Sequence, residues 1–375
     1  DTYVEVNDDL FFLDKSFITT SERSGYRHLY QFNYEGQRIA PITKGKWDVT
    51  TIYGVDEENK HIYYQSAESS PLQRDVYVCD LSGANKRKLS ALPGTNSAVF
   101  TSNFSYFINY HTAAGDPLII TLHDKNAKLV RVMENNTKLR LQLTEYDLSK
   151  KEFFTFKTSD DMSLNGWMIK PTNFDPSKKY PVYMFVYGGP GSQTVTDSWG
   201  GNNDMWYQLL AAKGYIVVSV DGRGTGARGT DFKNCTYLNL GNKELNDQIE
   251  AAKWLAKQPY VDGTRIGIQG WSFGGYMSSL CITKAADLFK MAIAVAPVTN
   301  WRFYDSVYTE RFLRTPQENA SGYDNNSPIN FADKMKHPYL LIHGTADDNV
   351  HFQNSTEMVT EMIKQNKKFD TQYYP

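Results

Sequence analysis

Cysteine is scarce in this chain: three in 375 residues, at Cys79, Cys235 and Cys281. Three thiols cannot all pair within one chain. Their spacing matches neither a disulfide framework nor a CxxC metal site, so the redox compartment stays open. No apolar run approaches the ~20 residues of a membrane span, and nothing at the N-terminus reads as a secretory signal. An excess of one charge is lacking too. Lys and Arg number 40 against 42 Asp and Glu, a formal net charge of −2. That gives no electrostatic reason to expect nucleic acid or an anionic membrane as a partner. What is abundant is aromatic: 25 Tyr and 20 Phe, in a composition 41% hydrophobic and 22% charged. This fits a globular protein rich in β-structure and aromatic-lined pockets, long enough for two domains. The chain begins at Asp1 and enters strand-like sequence almost at once, so it is expected to be a piece of something longer.

The first third repeats itself. "GYRHLYQFNYEGQRIAPIT" (25–43), "RDVYVCDLSGANKRKLS" (74–90) and "DPLIITLHDKNAKLVRVM" (116–133) each read as strand, polar turn, strand. The turns centre on Gly36, Gly83 and Asn126, 47 and 43 residues apart, with further strands such as "HIYYQSA" between them. Four short strands per ~40–50 residues describe a β-propeller blade; an antiparallel sandwich is the alternative. About three blades are visible, and others are expected before Asp1.

From Phe153 the pattern changes. After a hairpin turning at Ser159–Asp161 come continuous apolar runs, "YPVYMFVYGGP" (180–190), "GYIVVSVDGRG" (214–224), "RIGIQGWS" (265–272), "MAIAVAP" (291–297) and "PYLLIHG" (338–344). Such runs mark strands buried on both faces. Between two of them, Ile249, Ala252 and Ala256 predict one face of an amphipathic helix. Strands alternating with helices give a doubly wound, mostly parallel sheet. The expected organisation is residues 1–140 as propeller blades and 141–375 as an α/β-hydrolase domain incomplete at its C-terminus.

Within that sheet, "GWSFGGYMSSL" (270–280) carries G-x-S-x-G at Gly270, Ser272 and Gly274. This spacing between a strand and a helix is a nucleophile elbow, whose tight turn leaves no room for a Cβ beside the serine. "GTGARG" (224–229) mimics a dinucleotide fingerprint. It lacks a helix opening at its glycines, so it is expected to be a surface loop. In hydrolases of this fold the acid follows the serine and the histidine comes last. "LLIHGTADDNVHFQ" offers Asp347 or Asp348 as the acid; a metal site from His343, Asp347, Asp348 and His351 is disfavoured. The seven histidines are His28, His61, His111, His123, His337, His343 and His351. Four lie in the first third, two precede the acid, and His351 follows Asp347 too closely. The base is expected a few residues past Pro375, which would leave this stretch of chain inactive.

"GWSFGGY", "AVAPVTNWRFYDSVYTERF" (294–312) and "LLIHGTADDNVHFQ", with "VYGGP" (186–190), "DGRGTG" and "TKGKWDV", closely resemble the dipeptidyl peptidase IV branch of the prolyl oligopeptidase family. The resemblance implies a serine exopeptidase that releases Xaa-Pro or Xaa-Ala dipeptides from peptide N-termini. It implies no cofactor or metal, a homodimer, and a bacterial periplasmic, cell-surface or secreted location. Ser272 would be the nucleophile and Asp347 the acid, with the Phe273 N–H and Tyr187 hydroxyl as the oxyanion hole. Phe273 stands where this branch usually has tyrosine. Phe273, Val298, Trp301, Tyr304, Tyr308 and Val350 would form a proline pocket, and Asn349 would donate to a substrate carbonyl. The paired glutamates that hold the substrate's amino end in this family, and an arginine that contacts a carbonyl, would belong to propeller sequence upstream and are not mapped onto this chain. Tripeptidyl, acylaminoacyl or oligopeptidase activity, or a non-catalytic interaction role, are the alternatives.

Overall fold

The structure, a computed structural model, describes residues 2–375. Residues 10–134 form three four-stranded antiparallel sheets, each an uninterrupted meander with its strands in sequence order. They stack face to face. Ile18, Leu29, Val49, Ile62, Tyr64 and Cys79 fill the layer between the first and second sheets. Tyr63, Val76, Val78, Ala98 and Phe107 fill the layer between the second and third. Adjacent residues Tyr63 and Tyr64 thus serve opposite layers, as the twofold alternation of a strand requires. This is propeller-blade packing.

The rest of the chain builds one eight-stranded sheet from β1 (Lys151–Lys157), β2 (Ser163–Ile169), β3 (Tyr180–Phe185), β4 (Ile216–Asp221), β5 (Val261–Trp271), β6 (Phe289–Val295), β7 (Tyr339–Gly344) and β8 (Asp370–Tyr374). Their spatial order is β1-β2-β4-β3-β5-β6-β7-β8. β1 and β2 run antiparallel, as do β2 and β4; the other pairs are parallel. Helices cover both faces. On one, Met184, Val218 and Ile268 pack under α3 (Asn242–Ala256) and α4 (Phe273–Lys284). On the other, Tyr183 and Val217 pack under α1 (Asn202–Ala212) through Tyr207 and Leu210. With the blades, this is an α/β-hydrolase fold carrying a partial propeller.

Two expectations are corrected. Helix α3 does not bury Ile249 and Ala256 together. Its inner face is Leu245, Gln248, Ala251, Ala252 and Leu255, while Ile249 is half-buried and Ala256 exposed. Asp247 sets this rotation: it sits so close to the loop after β4 that a Cβ on Gly222 would lie 2.9 Å from its own Cβ. Nor is "GTGARG" (224–229) a surface loop: Gly224, Thr225, Gly226 and Gly229 are buried and Ala227 and Arg228 half-buried, and the preceding residues 221–223 are buried as well. The Arg223 guanidinium donates to Asp247 through Nε at 3.1 Å and Nη2 at 2.6 Å, and to Asp160 at 2.7 Å. A short helix, α2 (Thr230–Asn234), follows Gly229.

The blades dock on the hydrolase half through polar contacts. The segment after β3 supplies most of them. Gln193 donates to the Pro71 carbonyl at 3.0 Å and accepts from Arg74. Asp197 accepts from the Gln73 side chain at 3.1 Å and from the Ala114 amide at 2.9 Å. The Gly229 amide donates to Asp48 at 3.0 Å.

Candidate active site

Ser272 lies between β5 and α4 with φ 58° and ψ −116°. This is backbone space that non-glycine residues rarely enter, and holding one there costs roughly 1–3 kcal/mol. The neighbours enforce it. A Cβ on Gly270 would lie 2.3 Å from the Gly274 carbonyl carbon, and one on Gly274 would lie 2.1 Å from the Val186 oxygen. One on Gly275 would lie 2.6 Å from the Val295 oxygen. Ser272 donates its amide to Val295 at 2.8 Å and accepts from the Tyr276 amide at 2.9 Å. The serine backbone is therefore pinned between β6 and the first turn of α4, and its side chain stands at the tip of the turn, half-buried.

Phe273 is the first residue of α4, so its amide has no intrahelical acceptor and is available to an anion. Tyr187 follows β3, its ring 6.2 Å from that of Phe273. The Val186 amide holds this turn to Gln269 at 2.9 Å. Burial raises the Tyr187 hydroxyl above its ordinary pKa of 10.0, so it stays protonated, and a donor, through neutral pH.

The acid loop leaves β7. Asp347 and Asp348, which spacing alone does not separate, differ in the structure. The Asp347 carboxylate accepts the amides of Asn349 at 3.1 Å and Val350 at 3.0 Å, and its side chain is 24% exposed. Asp348 is exposed and makes no hydrogen bond among the described residues. Backbone donors hold a carboxylate in place, and of the two only Asp347 has them.

The predicted pocket residues come together. Trp301 is buried; its ring lies 5.9 Å from Phe273 and stacks on Tyr308 at 6.1 Å and 18°. Tyr304 meets Tyr308 edge-on at 5.2 Å. Tyr308 stands on α5 (Ser306–Leu313), whose first turn is capped by Asp305 accepting the Tyr308 amide at 2.8 Å. Val298 and Val350 are buried beside them. The Tyr304 hydroxyl donates to Asn349 Oδ1 at 2.9 Å; this leaves the Asn349 amide nitrogen as a donor.

Sequence reasoning missed Glu244. It is fully buried at the start of α3, one oxygen accepting the Gly241 amide at 2.9 Å and the other without a protein partner among the described residues. The Gly241 it bonds lies against Tyr276, whose hydroxyl a Cβ at Gly241 would approach to 1.7 Å. Burial pushes its carboxyl from 4.5 up to about 8. The only sequence signal was a glutamate three residues after a glycine at a helix start, which is half of a capping box. A raised carboxyl pKa means that the fold holds a proton the unfolded chain releases. That stabilisation is complete below about 4.5 and is lost as pH rises through about 8; it is on the order of 2–5 kcal/mol. Glu244→Gln is expected to flatten the decline of melting temperature between pH 5 and 8.5. Calorimetry across that range checks it, the difference from wild type being read because Asp221, also buried and raised, acts in the same direction. Parallel curves would refute it.

Comparison with known proteins places this geometry. The sequence signature of the Prolyl oligopeptidase family matches residues 203–375. That of the Dipeptidyl peptidase IV (DPP IV) N-terminal region matches residues 1–118. The chain is 39% identical to a protein described as probable dipeptidyl-aminopeptidase B of Trichophyton verrucosum, over 96% of this chain and 41% of that protein. It is 37% identical to a probable dipeptidyl peptidase 4 of Aspergillus flavus, over 92% of this chain and 46% of the relative. The crystal structure of Porphyromonas gingivalis dipeptidyl peptidase 4 superposes with a TM-score of 0.94 at 46% identity, over 97% of this chain and 52% of that one. The chain thus spans about half the length of the relatives it matches.

Proposed function

This chain belongs to the prolyl oligopeptidase family, with an N-terminal region of the dipeptidyl peptidase IV type, and on that premise we propose that it is the catalytic part of a serine exopeptidase releasing dipeptides from peptide N-termini, with proline or alanine in the second position. The observation that carries the proposal is the strained Ser272 joined to Phe273, whose ring lies 5.9 Å from Trp301 in an aromatic cluster with Tyr304 and Tyr308. A pyrrolidine ring is small, flat and apolar, so stacked rings can surround it while excluding longer side chains.

In this reading the Ser272 hydroxyl attacks the carbonyl of the second residue and passes its proton to a histidine oriented by Asp347. The Phe273 amide and Tyr187 hydroxyl stabilise the oxyanion. The leaving amine takes the proton, and water then hydrolyses the acyl-enzyme by the same route. Asn349 donates to a substrate carbonyl. In this reading the base is none of the seven histidines. His28, His61, His111 and His123 belong to the blades. His337 lies 3.5 Å from the Lys290 ammonium. His343 donates from Nε2 to the Val350 carbonyl. His351 is exposed in the turn before the next helix.

The test uses Gly-Pro-p-nitroanilide and its N-acetylated form. The complete protein should release Gly-Pro and leave the acetylated form intact. Equal cleavage of both would favour an acylaminoacyl peptidase or oligopeptidase. The 375-residue chain alone should be silent; comparable rates would make His351 the base.

A further inference from the structure

His343, next to last in β7, is wholly buried, which is unusual for a group the catalytic chemistry does not use. Both ring nitrogens are engaged. Nε2 lies 2.8 Å from the Val350 carbonyl, and Nδ1 lies 2.6 Å from the Ser355 hydroxyl. A carbonyl can only accept, so the proton is on Nε2, and Nδ1 accepts from Ser355. The same Nε2 lies 3.4 Å from Asp347 Oδ2, the oxygen opposite the one that takes the two loop amides.

We infer that His343 is a positioning residue for the acid. Its Nε2–H faces Asp347 Oδ2 and the Val350 carbonyl together, and so locks the Gly344–Val350 loop onto Ser355 of α6 (Gln353–Lys364). The inference rests on the serine-peptidase reading, because only there does the direction of the Asp347 carboxylate matter. Without His343 the carboxylate keeps its two amide donors on Oδ1, but Oδ2 loses the N–H that faces it, so the group turns through a wider arc about its Cβ–Cγ bond. The oxygen offered to a catalytic imidazole then wanders. Misplacement of about an ångström at a catalytic group is enough to cost ~10²-fold in rate.

The chemistry requires a donor at the Nε2 position, which sets the test. In the complete protein, His343→Leu removes the donor and His343→Gln keeps an N–H at a similar reach. His343→Leu is expected to lower kcat about 10- to 100-fold while KM for Gly-Pro-p-nitroanilide stays within about threefold, because the lost interaction acts on the transition state and not on the pocket. His343→Gln should recover most of kcat even though both variants melt lower than wild type. Unchanged kcat in His343→Leu overturns the inference, as does equal loss in both variants. A second readout does not depend on turnover. Nitrogen-15 NMR should show His343 as the Nε2–H tautomer, with that proton's resonance moving in Asp347→Asn. A resonance that ignores Asp347→Asn overturns the inference even if the protein proves to have no peptidase activity. Wild-type protein that fails to release dipeptides while the resonance does move leaves the His343–Asp347 contact standing and refutes the functional reading instead.

Discussion

With Ser272 replaced by alanine, the complete protein is expected to lose peptidase turnover by about 10⁴–10⁶-fold, the scale at which removing the nucleophile disables a serine-histidine-acid site. Labelling by a fluorophosphonate probe should vanish with it. The fold should survive, because Ser272 holds its place through its amide and carbonyl, bonded to Val295 and Tyr276, and alanine keeps both. Melting near the wild-type temperature together with lost labelling would localise the effect to one hydroxyl. Equal labelling of Ser272→Ala and wild type would remove Ser272 from the mechanism.

Tyr187→Phe ranks next. It keeps the ring that packs 6.2 Å from Phe273 and deletes one donor. Loss of a single oxyanion donor typically lowers kcat by ~10²–10³-fold with little change in KM. Burial holds the Tyr187 pKa above its usual value, so any fall in activity between pH 8 and 10 belongs to another group. Steady-state kinetics of the two proteins decide it. A kcat within a factor of about two of wild type would leave the Phe273 amide as the working donor.

The elbow was legible because its motif is local: Gly270, Ser272 and Gly274 alternate within five residues, even though the clash that demands glycine there comes largely from the Val186 carbonyl at the end of a neighbouring strand. The aromatic cage was legible only by resemblance, since Trp301, Tyr304 and Tyr308 have no helical or strand period of their own. The choice of Asp347 over Asp348 was likewise legible only by resemblance; in the structure it rests on which carboxylate the loop amides reach. Two things were not legible. The inner face of α3 depends on how closely Gly222 approaches Asp247. Burial of the Gly222–Gly226 loop depends on its neighbours Gly191 and Ser192, which bond to it through Gly224 and Gly226. Each is a long-range contact made by residues that look solvent-facing in a local window. His343 was dismissed because it precedes the acid, and chain order carries no information about which atom its proton faces.

The backbone at Ser272 has one further implication. A φ of 58° with ψ near −116° suits glycine better than any residue with a side chain. Glycine is also the residue with nothing to offer a peptide bond. Selection for durability alone would therefore drift this position toward chemical silence. The serine is held there against the thermodynamic preference of its own main chain, a small standing conflict between persistence and reactivity that is settled afresh in every generation by use.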